Sequence, residues 1–216
     1  MKIIRVKILL LFIVTISFLQ LKTVAQPSMG PKVGVSFSTF IPRLFGLVPN
    51  IHIPFGVTFN FNAEKVFSFQ PELLYMQKGI VQKDYPYEAR LNLNYVEVPA
   101  MLKFTFLGQK KINGFFEIGP YLAYLSSISS IYSDSLVNKK KTVSYPFEYI
   151  RLFDVGIGVG IGTAYKTGNG KIVLNLRYEC GSFLSYYYIF GGDEMLLLNS
   201  TFSISLAYMF NMKKPK

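Results

Sequence analysis

After residue 26 the sequence alternates apolar residues with small or polar ones, and this period of two predicts strands rather than helices. Most of the alternating segments are close to the length of about 9 to 11 residues that a tilted strand needs to cross a bilayer. The eight segments are residues 32–39, 55–62, 67–77, 91–106, 115–125, 153–165, 172–181 and 201–210. No apolar run in this part of the chain approaches the length of a spanning helix. A membrane protein without spanning helices must be a closed barrel, because lipid offers no partners for unpaired backbone groups.

The two faces of the predicted strands differ in composition. One face is aliphatic and aromatic throughout, as in Phe55, Val57 and Phe59, and it carries no charged residue. The opposite face carries small residues together with the charged set Glu72, Glu97, Lys103, Glu117, Asp154, Arg177 and Glu179. An eight-stranded barrel has an interior just wide enough for side chains, so the bulky apolar face would overfill it. We therefore expect the apolar face to contact lipid and the charged set to form a salt-bridged interior cluster.

The connections between the predicted strands alternate in length. Short links cover residues 62–65, 107–113 and 166–170, whereas residues 41–54, 78–90, 126–151 and 182–200 form long ones. Short turns at one rim and long loops at the other are typical of an outer-membrane barrel with both termini in the periplasm. The predicted periplasmic rim is strongly basic, with Glu64 as its single acidic residue. Its lysines are Lys65, Lys110, Lys111, Lys166, Lys171, Lys213, Lys214 and Lys216. Such a rim favours phosphates or an acidic protein partner.

The first 25 residues have the pattern of a cleaved secretory signal peptide. Three basic residues precede an apolar stretch over residues 8–14, and Thr23-Val24-Ala25 supplies the small residues of a cleavage site. A single membrane anchor is the alternative, but the strictly apolar part is shorter than the roughly 20 residues that a spanning helix needs. Gln26 would be the first mature residue, and no cysteine stands there to accept a lipid. Residues 26–216 then form one domain, with 19 basic against 12 acidic residues and a net charge of +7.

Two local features predict details of strand pairing. Leu91 and Leu93 are at odd-numbered positions, whereas the apolar residues of 96–106 are mostly at even-numbered ones. One extra residue would bring both sets to the same face, so a β-bulge is expected near Asn94 or Tyr95. Lys103 and Glu117 would lie opposite each other if residue 106 pairs with residue 114. Side chains directly opposite on an antiparallel pair are close enough to interact, and we therefore expect an interior ion pair between these two residues.

Four other features resemble functional motifs, and each has a structural explanation. The glycines of residues 156–162 alternate within a predicted strand with no helix after them, unlike a nucleotide-binding loop, and instead make room for bulky neighbours such as Tyr121. His52 has no partner histidine for a metal or catalytic site and is expected at the surface. Cys180 is expected as an apolar thiol on the lipid face. Lys139, Lys140 and Lys141 could bind lipopolysaccharide phosphates or form a solvated loop tip, and we favour the solvated tip.

Several short motifs are shared with one family. They are Gly34-Val35-Ser36, Gln70-Pro71-Glu72 within residues 69–75, Lys78-Gly79, Glu97-Val98-Pro99 within residues 95–103, Gly119-Pro120-Tyr121, the glycine run of residues 156–162, and the closing strand that ends at Phe210. On these residues the chain resembles the PorT-like outer-membrane β-barrel family of the Bacteroidetes. The resemblance implies an integral barrel of eight strands, and one branch of the family assists a protein-secretion machine. Phe210 resembles the terminal aromatic residue that the barrel-assembly machinery reads during insertion.

The sequence therefore predicts an all-β protein, an eight-stranded antiparallel up-and-down transmembrane β-barrel of the OmpA/OmpX-like kind that follows a signal peptide. We expect an outer-membrane scaffold or interaction protein without enzymatic activity, cofactor or metal. Outer-membrane lipids and the barrel-assembly machinery are its expected partners. A protein could bind at the periplasmic rim or the extracellular loops, and nucleic acid is not expected. The alternative is a soluble exported carrier, similar to a lipocalin, that holds an apolar ligand.

Overall fold

A computed structural model describes residues 27–41, 47–61, 66–84, 86–109, 111–134, 139–144, 152–181, 186–190 and 193–212. The predicted signal peptide lies outside these residues. The strands are β1 (Ser28–Ile41), β2 (Leu47–His52), β3 (Phe55–Asn60), β4 (Phe67–Asp84), β5 (Tyr87–Gln109), β6 (Ile112–Asp134), β7 (Lys139–Ser144), β8 (Phe153–Thr167), β9 (Gly170–Gly181), β10 (Tyr186–Phe190) and β11 (Asp193–Asn211). No helix among the described residues is long and apolar enough to cross a membrane.

The strands form one closed antiparallel ring. β1 pairs with β11, and the ring continues through β9, β8, β6, β5 and β4 back to β2 and β3, which both pair with β1. β2 and β3 form one strand position interrupted at Ile53 and Pro54, because proline has no backbone N–H to donate to a neighbour. Within the ranges described above, β7 pairs only with β6, and β10 only with β11. In the described part of the chain, eight strand positions thus close the ring, as the sequence predicted.

The ring has one end with short turns and one end with longer loops. We call the first end the turn rim; it includes the β8–β9 turn and the pairing of Ser28 with Asn211, which brings the two ends of the barrel chain together. We call the other the loop end. There the strands run further than the sequence predicted. Residues 78–90, expected as a long loop, belong almost entirely to β4 and β5, which pair from Lys78 opposite Leu93 to Asp84 opposite Tyr87.

The side chains follow the predicted alternation. Outward apolar residues are exposed over the whole ring, for example Val33 at 50 %, Leu102 at 62 % and Ile161 at 56 %. Inward charged residues are buried, and Glu97 and Glu117 are completely inaccessible. A carrier barrel with an apolar lumen would show the opposite arrangement, so the soluble lipocalin-like alternative does not fit this fold.

The predicted β-bulge is present, but its extra residue lies on the partner strand. The β5–β6 register shifts between Asn94 and Tyr95, where Asn94 is opposite Ser127 and Tyr95 is opposite Leu125, which leaves Ser126 of β6 without an opposite residue. Leu93 and Tyr95 both face the interior and are fully buried. The inferred change of face within β5 was therefore wrong. Toward the loop end the lumen accepts apolar side chains, whereas closer to the turn rim it holds polar ones.

Candidate functional site

Arg177 of β9 is the centre of one ionic cluster inside the barrel. Its Nη1 and Nη2 atoms donate to the two carboxylate oxygens of Glu72 at 2.8 and 3.0 Å, and its Nε atom donates to Glu117 Oε1 at 2.7 Å. Lys32 Nζ also contacts both oxygens of Glu72, at 3.0 and 2.8 Å. The planar guanidinium suits this arrangement, since it presents donors in a fork that matches carboxylate geometry. Four strands, β1, β4, β6 and β9, are thereby joined across the lumen.

A second cluster surrounds Lys78 of β4, closer to the loop end. Lys78 Nζ lies 2.7 Å from Glu97 Oε2 and 3.3 Å from Asp154 Oδ2. Asp154 Oδ2 also accepts hydrogen bonds from Tyr121 Oη at 3.2 Å and from Asn199 Nδ2 at 2.8 Å. The ammonium group stands 4.2 Å from the centre of the Tyr121 ring, a geometry that favours a cation. Glu179 lies between the clusters, with one oxygen 3.6 Å from Arg177 Nη1.

The predicted ion pair between Lys103 and Glu117 does not form. The two residues are directly opposite in the β5–β6 pair, as expected. However, Lys103 Nζ donates to Gln70 Oε1 at 3.3 Å and lies 3.4 Å from the centre of the Phe115 ring. The Glu117 carboxylate is bound by Arg177, whose Nη2 atom is 2.6 Å away. Arg177 reaches Glu117 with two nitrogen atoms, and a single lysine ammonium cannot match that contact.

The buried charges cancel. Among the described residues the buried acids are Glu72, Glu97, Glu117, Asp154 and Glu179, and the buried bases are Lys32, Lys78, Lys103, Lys171 and Arg177. All seven members of the predicted interior cluster are in this set. Lys32 and Lys78 were not predicted as interior residues, and Lys171 was expected at the rim. The alternation of faces along a strand could have identified Lys32 and Lys78. Lys32 is on the same face as Gly34 and Ser36, and Lys78 is on the same face as Glu72.

Apolar side chains fill the lumen at both ends of these ionic clusters. Toward the loop end the layer consists of Phe40, Leu74, Met76, Leu93, Tyr95, Tyr121, Ala123, Leu125 and Ile128. Toward the turn rim it consists of Phe115, Ala164, Val173, Ala207 and Met209. The carboxylates between the two layers are enclosed, since each is at most 2 % exposed. Acid–base catalysis by these carboxylates would require substrate access that this arrangement does not provide.

The turn rim presents exposed lysines. Lys111 and Lys166 are exposed, and their segments are joined by a hydrogen bond from the Lys166 N–H to the Lys111 carbonyl at 2.8 Å. Lys171 lies opposite Lys166 in the β8–β9 pair, but it is only 8 % exposed and belongs to the lumen. Its inclusion in the rim was therefore wrong, because its place near the turn concealed its inward phase. The other predicted rim residues, Lys65, Lys110, Lys213, Lys214 and Lys216, lie outside the described residues.

The remaining candidates have structural surroundings. The glycine run lies within β8, and a Cβ atom at Gly156 would stand 2.5 Å from the Tyr121 ring, so this glycine makes room for that ring as predicted. His52 was expected at the surface, but it is 7 % exposed at the end of β2 and opposite Ser36, because the predicted loop forms a strand there. Cys180 is half-buried in the outward phase of β9. Within the described residues no group of three or more acidic, histidine or cysteine side chains is placed to hold a metal ion.

Comparison with known proteins decides the family. The family described as outer membrane protein beta-barrel domain matches residues 24–182. The chain belongs to this family. It is therefore an outer-membrane β-barrel protein of the Gram-negative envelope, and outer-membrane lipids surround its apolar face. No curated protein matches the sequence.

Solved structures with a similar arrangement include small outer-membrane barrels. Neisserial surface protein A is 10 % identical with a TM-score of 0.46, and the match covers 87 % of this chain and 97 % of that one. Ail, the attachment invasion locus protein of Yersinia pestis, is 10 % identical with a TM-score of 0.45, and the match covers 86 % and 99 %. The N-terminal β-barrel domain of Pseudomonas aeruginosa OprF is 10 % identical with a TM-score of 0.33, and the match covers 85 % and 99 %.

Proposed function

We propose that this outer-membrane barrel is a non-enzymatic scaffold or interaction protein of the PorT-like kind, an accessory to protein secretion. The turn rim faces the periplasm and binds an acidic protein partner there. The observation that carries the proposal is the distribution of charge. Residues 26–216 have 19 basic and 12 acidic residues. The ten buried charges of the described residues cancel, so the surplus of seven positive charges belongs to the rest of residues 26–216.

Most of that surplus belongs to the turns and the chain end at one rim. This rim has seven lysines and one acidic residue, Glu64, which is a surplus of six positive charges and leaves one for the loop end. The lysines are Lys65, Lys110, Lys111, Lys166, Lys213, Lys214 and Lys216. A rim of one sign attracts acidic surfaces and steers their approach. The enclosed carboxylates and the apolar layers on both sides of them support a structural role for the lumen. They favour a scaffold over a pore or a hydrolase.

The experiment is reversible crosslinking in native membranes, followed by purification of the full-length barrel. A rim variant combines Lys110→Gln, Lys111→Gln, Lys213→Gln and Lys214→Gln. A matched control removes four lysines at the loop end through Lys83→Gln, Lys139→Gln, Lys140→Gln and Lys141→Gln. We expect the rim variant to lose the crosslinked protein and the control to retain it. Capture by the parent protein should also fall with salt, because the Debye length shortens from about 10 Å at 0.1 M to about 3 Å at 1 M.

Three results would contradict the proposal. The first is unchanged capture by the rim variant at equal abundance, and the second is an equal loss in the loop-end control. A salt-independent complex would likewise show that the contact is apolar and does not depend on the lysines.

A further inference from the structure

A small cavity lies inside the lumen between the two ionic clusters. Polar side chains from β1, β9 and β11 line one side of it, namely Lys32, Arg177, Glu179, Ser203 and Ser205. Leu74 and Met76 of β4 line the apolar side. The space open to the centre of a water-sized sphere is about 10 Å³. This is enough for one water molecule, since such a sphere itself occupies roughly 10 to 15 Å³.

Short inward residues create this space. Ser203 and Ser205 are on the inner face of β11, and Gly34 of β1 is directly opposite Ser205. Arg177 is opposite Ser203 in the β9–β11 pair, so its long side chain begins beside the serines and reaches away from them to Glu72. Serine and glycine are too short to fill the lumen at this level. The serine hydroxyls also bring hydrogen-bonding groups to the edge of the cavity.

Glu179 brings an unsatisfied carboxylate oxygen to the cavity. Its side chain is 2 % exposed, and its Oε2 atom accepts no hydrogen bond from the residues that the structure describes. Its other oxygen, Oε1, is 3.6 Å from Arg177 Nη1, which is longer than a hydrogen bond. A buried charged acceptor without a donor is costly. Polar groups separated by more than about 3.5 Å are often joined by a water molecule between them.

The charges of the lining decide which small species fits. Lys32 Nζ donates to the two oxygens of Glu72 at 3.0 and 2.8 Å, and an ammonium group has a third donor. Lys32 and Arg177 repel a metal cation, whereas the Glu179 carboxylate repels an anion. Water is neutral, and it donates to a carboxylate while it accepts from an ammonium or a hydroxyl group. The lining offers the roughly two to four polar partners that a buried water molecule needs.

We propose that this cavity is a binding site for one ordered water molecule. The water donates to Glu179 Oε2 and accepts from Lys32 Nζ, and the Ser205 hydroxyl is its third partner. It thereby joins Glu179 to the first ionic cluster. The Glu179 charge also acts on Lys78 of the second cluster, so the water completes a polar connection between the two clusters. The proposal concerns the lumen alone and does not rest on the protein partner proposed above.

The test is a crystal structure of the full-length barrel at a resolution that shows ordered water, together with two variants of Ser205. Ser205→Val places an extra methyl group in the cavity and removes a polar partner, so it should expel the water. Ser205→Ala is the matched control, because it leaves the space open. We expect density for one water within hydrogen-bonding distance of Glu179 Oε2 in the parent and in Ser205→Ala. This density should be lost in Ser205→Val.

Unfolding in urea distinguishes a cavity that holds water from one that is empty. Loss of the water leaves Glu179 Oε2 without a donor, so the Ser205→Val barrel should unfold at a lower urea concentration than the Ser205→Ala barrel. An empty cavity would give the reverse order, because valine would fill space that costs stability when it is left open.

Three results would overturn the proposal. The first is an absence of density beside Glu179 Oε2 in the parent. The second is an anomalous signal at this position after chloride is exchanged for bromide, which would identify an anion. The third is a urea midpoint of Ser205→Val that equals or exceeds that of Ser205→Ala. If Ser205→Val does not fold, Ser203→Val replaces it, with Ser203→Ala as its control.

Discussion

Lys103 and Glu117 are directly opposite each other in the β5–β6 pair, and yet they do not form an ion pair. Glu117 Oε1 accepts a hydrogen bond from Arg177 Nε at 2.7 Å, while Lys103 Nζ contacts Gln70 Oε1 and the Phe115 ring. Position in a strand register brings two side chains near each other. It does not decide which pair forms when a third residue enters from the other side of the lumen.

The first prediction is that Glu117 is coupled energetically to Arg177 more strongly than to Lys103. In double-mutant cycles, Glu117→Gln with Arg177→Met should give a coupling energy of about 0.5 to 3 kcal/mol. The cycle of Glu117→Gln with Lys103→Met should give a smaller value, because these side chains have other partners. The measurement is the free energy of unfolding in urea, with the heat-dependent gel shift used to distinguish folded from unfolded barrel. A larger coupling for Lys103 would place the ion pair where the register alone suggests it.

A second prediction concerns Arg177, the centre of the first ionic cluster. Arg177→Met leaves Glu72 and Glu117 without their main cation in an enclosed lumen, and removing one partner of a buried ion pair costs about 3 to 5 kcal/mol. Arg90→Met is a matched control, because the Arg90 pair with Glu88 has both side chains about one third exposed or more. Pairs of that kind contribute about 0 to 1 kcal/mol. The free energy of unfolding in urea measures both variants. Equal losses of unfolding free energy in the two would mean that water reaches the interior cluster freely.

The alternation of residue types predicted much of this molecule. Strand phase was enough to place the apolar side chains outward and all seven charged residues of the interior cluster inward, as Glu72 and Arg177 illustrate. Because every second residue of a strand faces the same side, one sequence carries that information directly. The closure of eight strand positions followed from the same pattern and from the alternation of short and long links.

Other features depend on contacts that a single sequence does not encode locally. Arg177 and Glu72 are 105 positions apart, and their contact requires that β4 and β9 face each other across the lumen. Leu91 and Leu93 were taken to share a face with the outward residues of 96–106, across a bulge, because apolar residues were taken to mark the lipid side. The lumen toward the loop end is itself apolar, so composition there no longer distinguishes inside from outside. His52 and Lys78 were misplaced because their segments have weak alternation and were interpreted as loops.

The third prediction is that Gly156 and Gly158 differ in their tolerance of alanine. A Cβ atom at Gly156 would stand 2.2 Å from the Cys180 carbonyl oxygen and 2.5 Å from the Tyr121 ring, whereas the nearest atom at Gly158 is Glu179 Cγ at 3.3 Å, part of a flexible side chain. Gly156→Ala should therefore cost about 1 to 3 kcal/mol through overpacking. Gly158→Ala should remain within about 1 kcal/mol of the parent, since alanine also restricts the unfolded chain. Thermal unfolding of the two variants measures the difference, and equal costs would show that both the Tyr121 ring and the Cys180 backbone move aside.

The last prediction is topological and concerns the two ends of the ring. The short β8–β9 turn and the pairing of Ser28 with Asn211 define the turn rim, and outer-membrane barrels have their short turns in the periplasm. Cysteine labelling in a Cys180→Ser background tests the direction, because this change removes the single native thiol. Asn138→Cys, between β6 and β7, should react with a membrane-impermeant reagent on intact cells. Asn169→Cys, an exposed position in the β8–β9 turn, should react only after the outer membrane is permeabilised. The reverse pattern would place the basic rim outside the cell, where a periplasmic partner could not reach it.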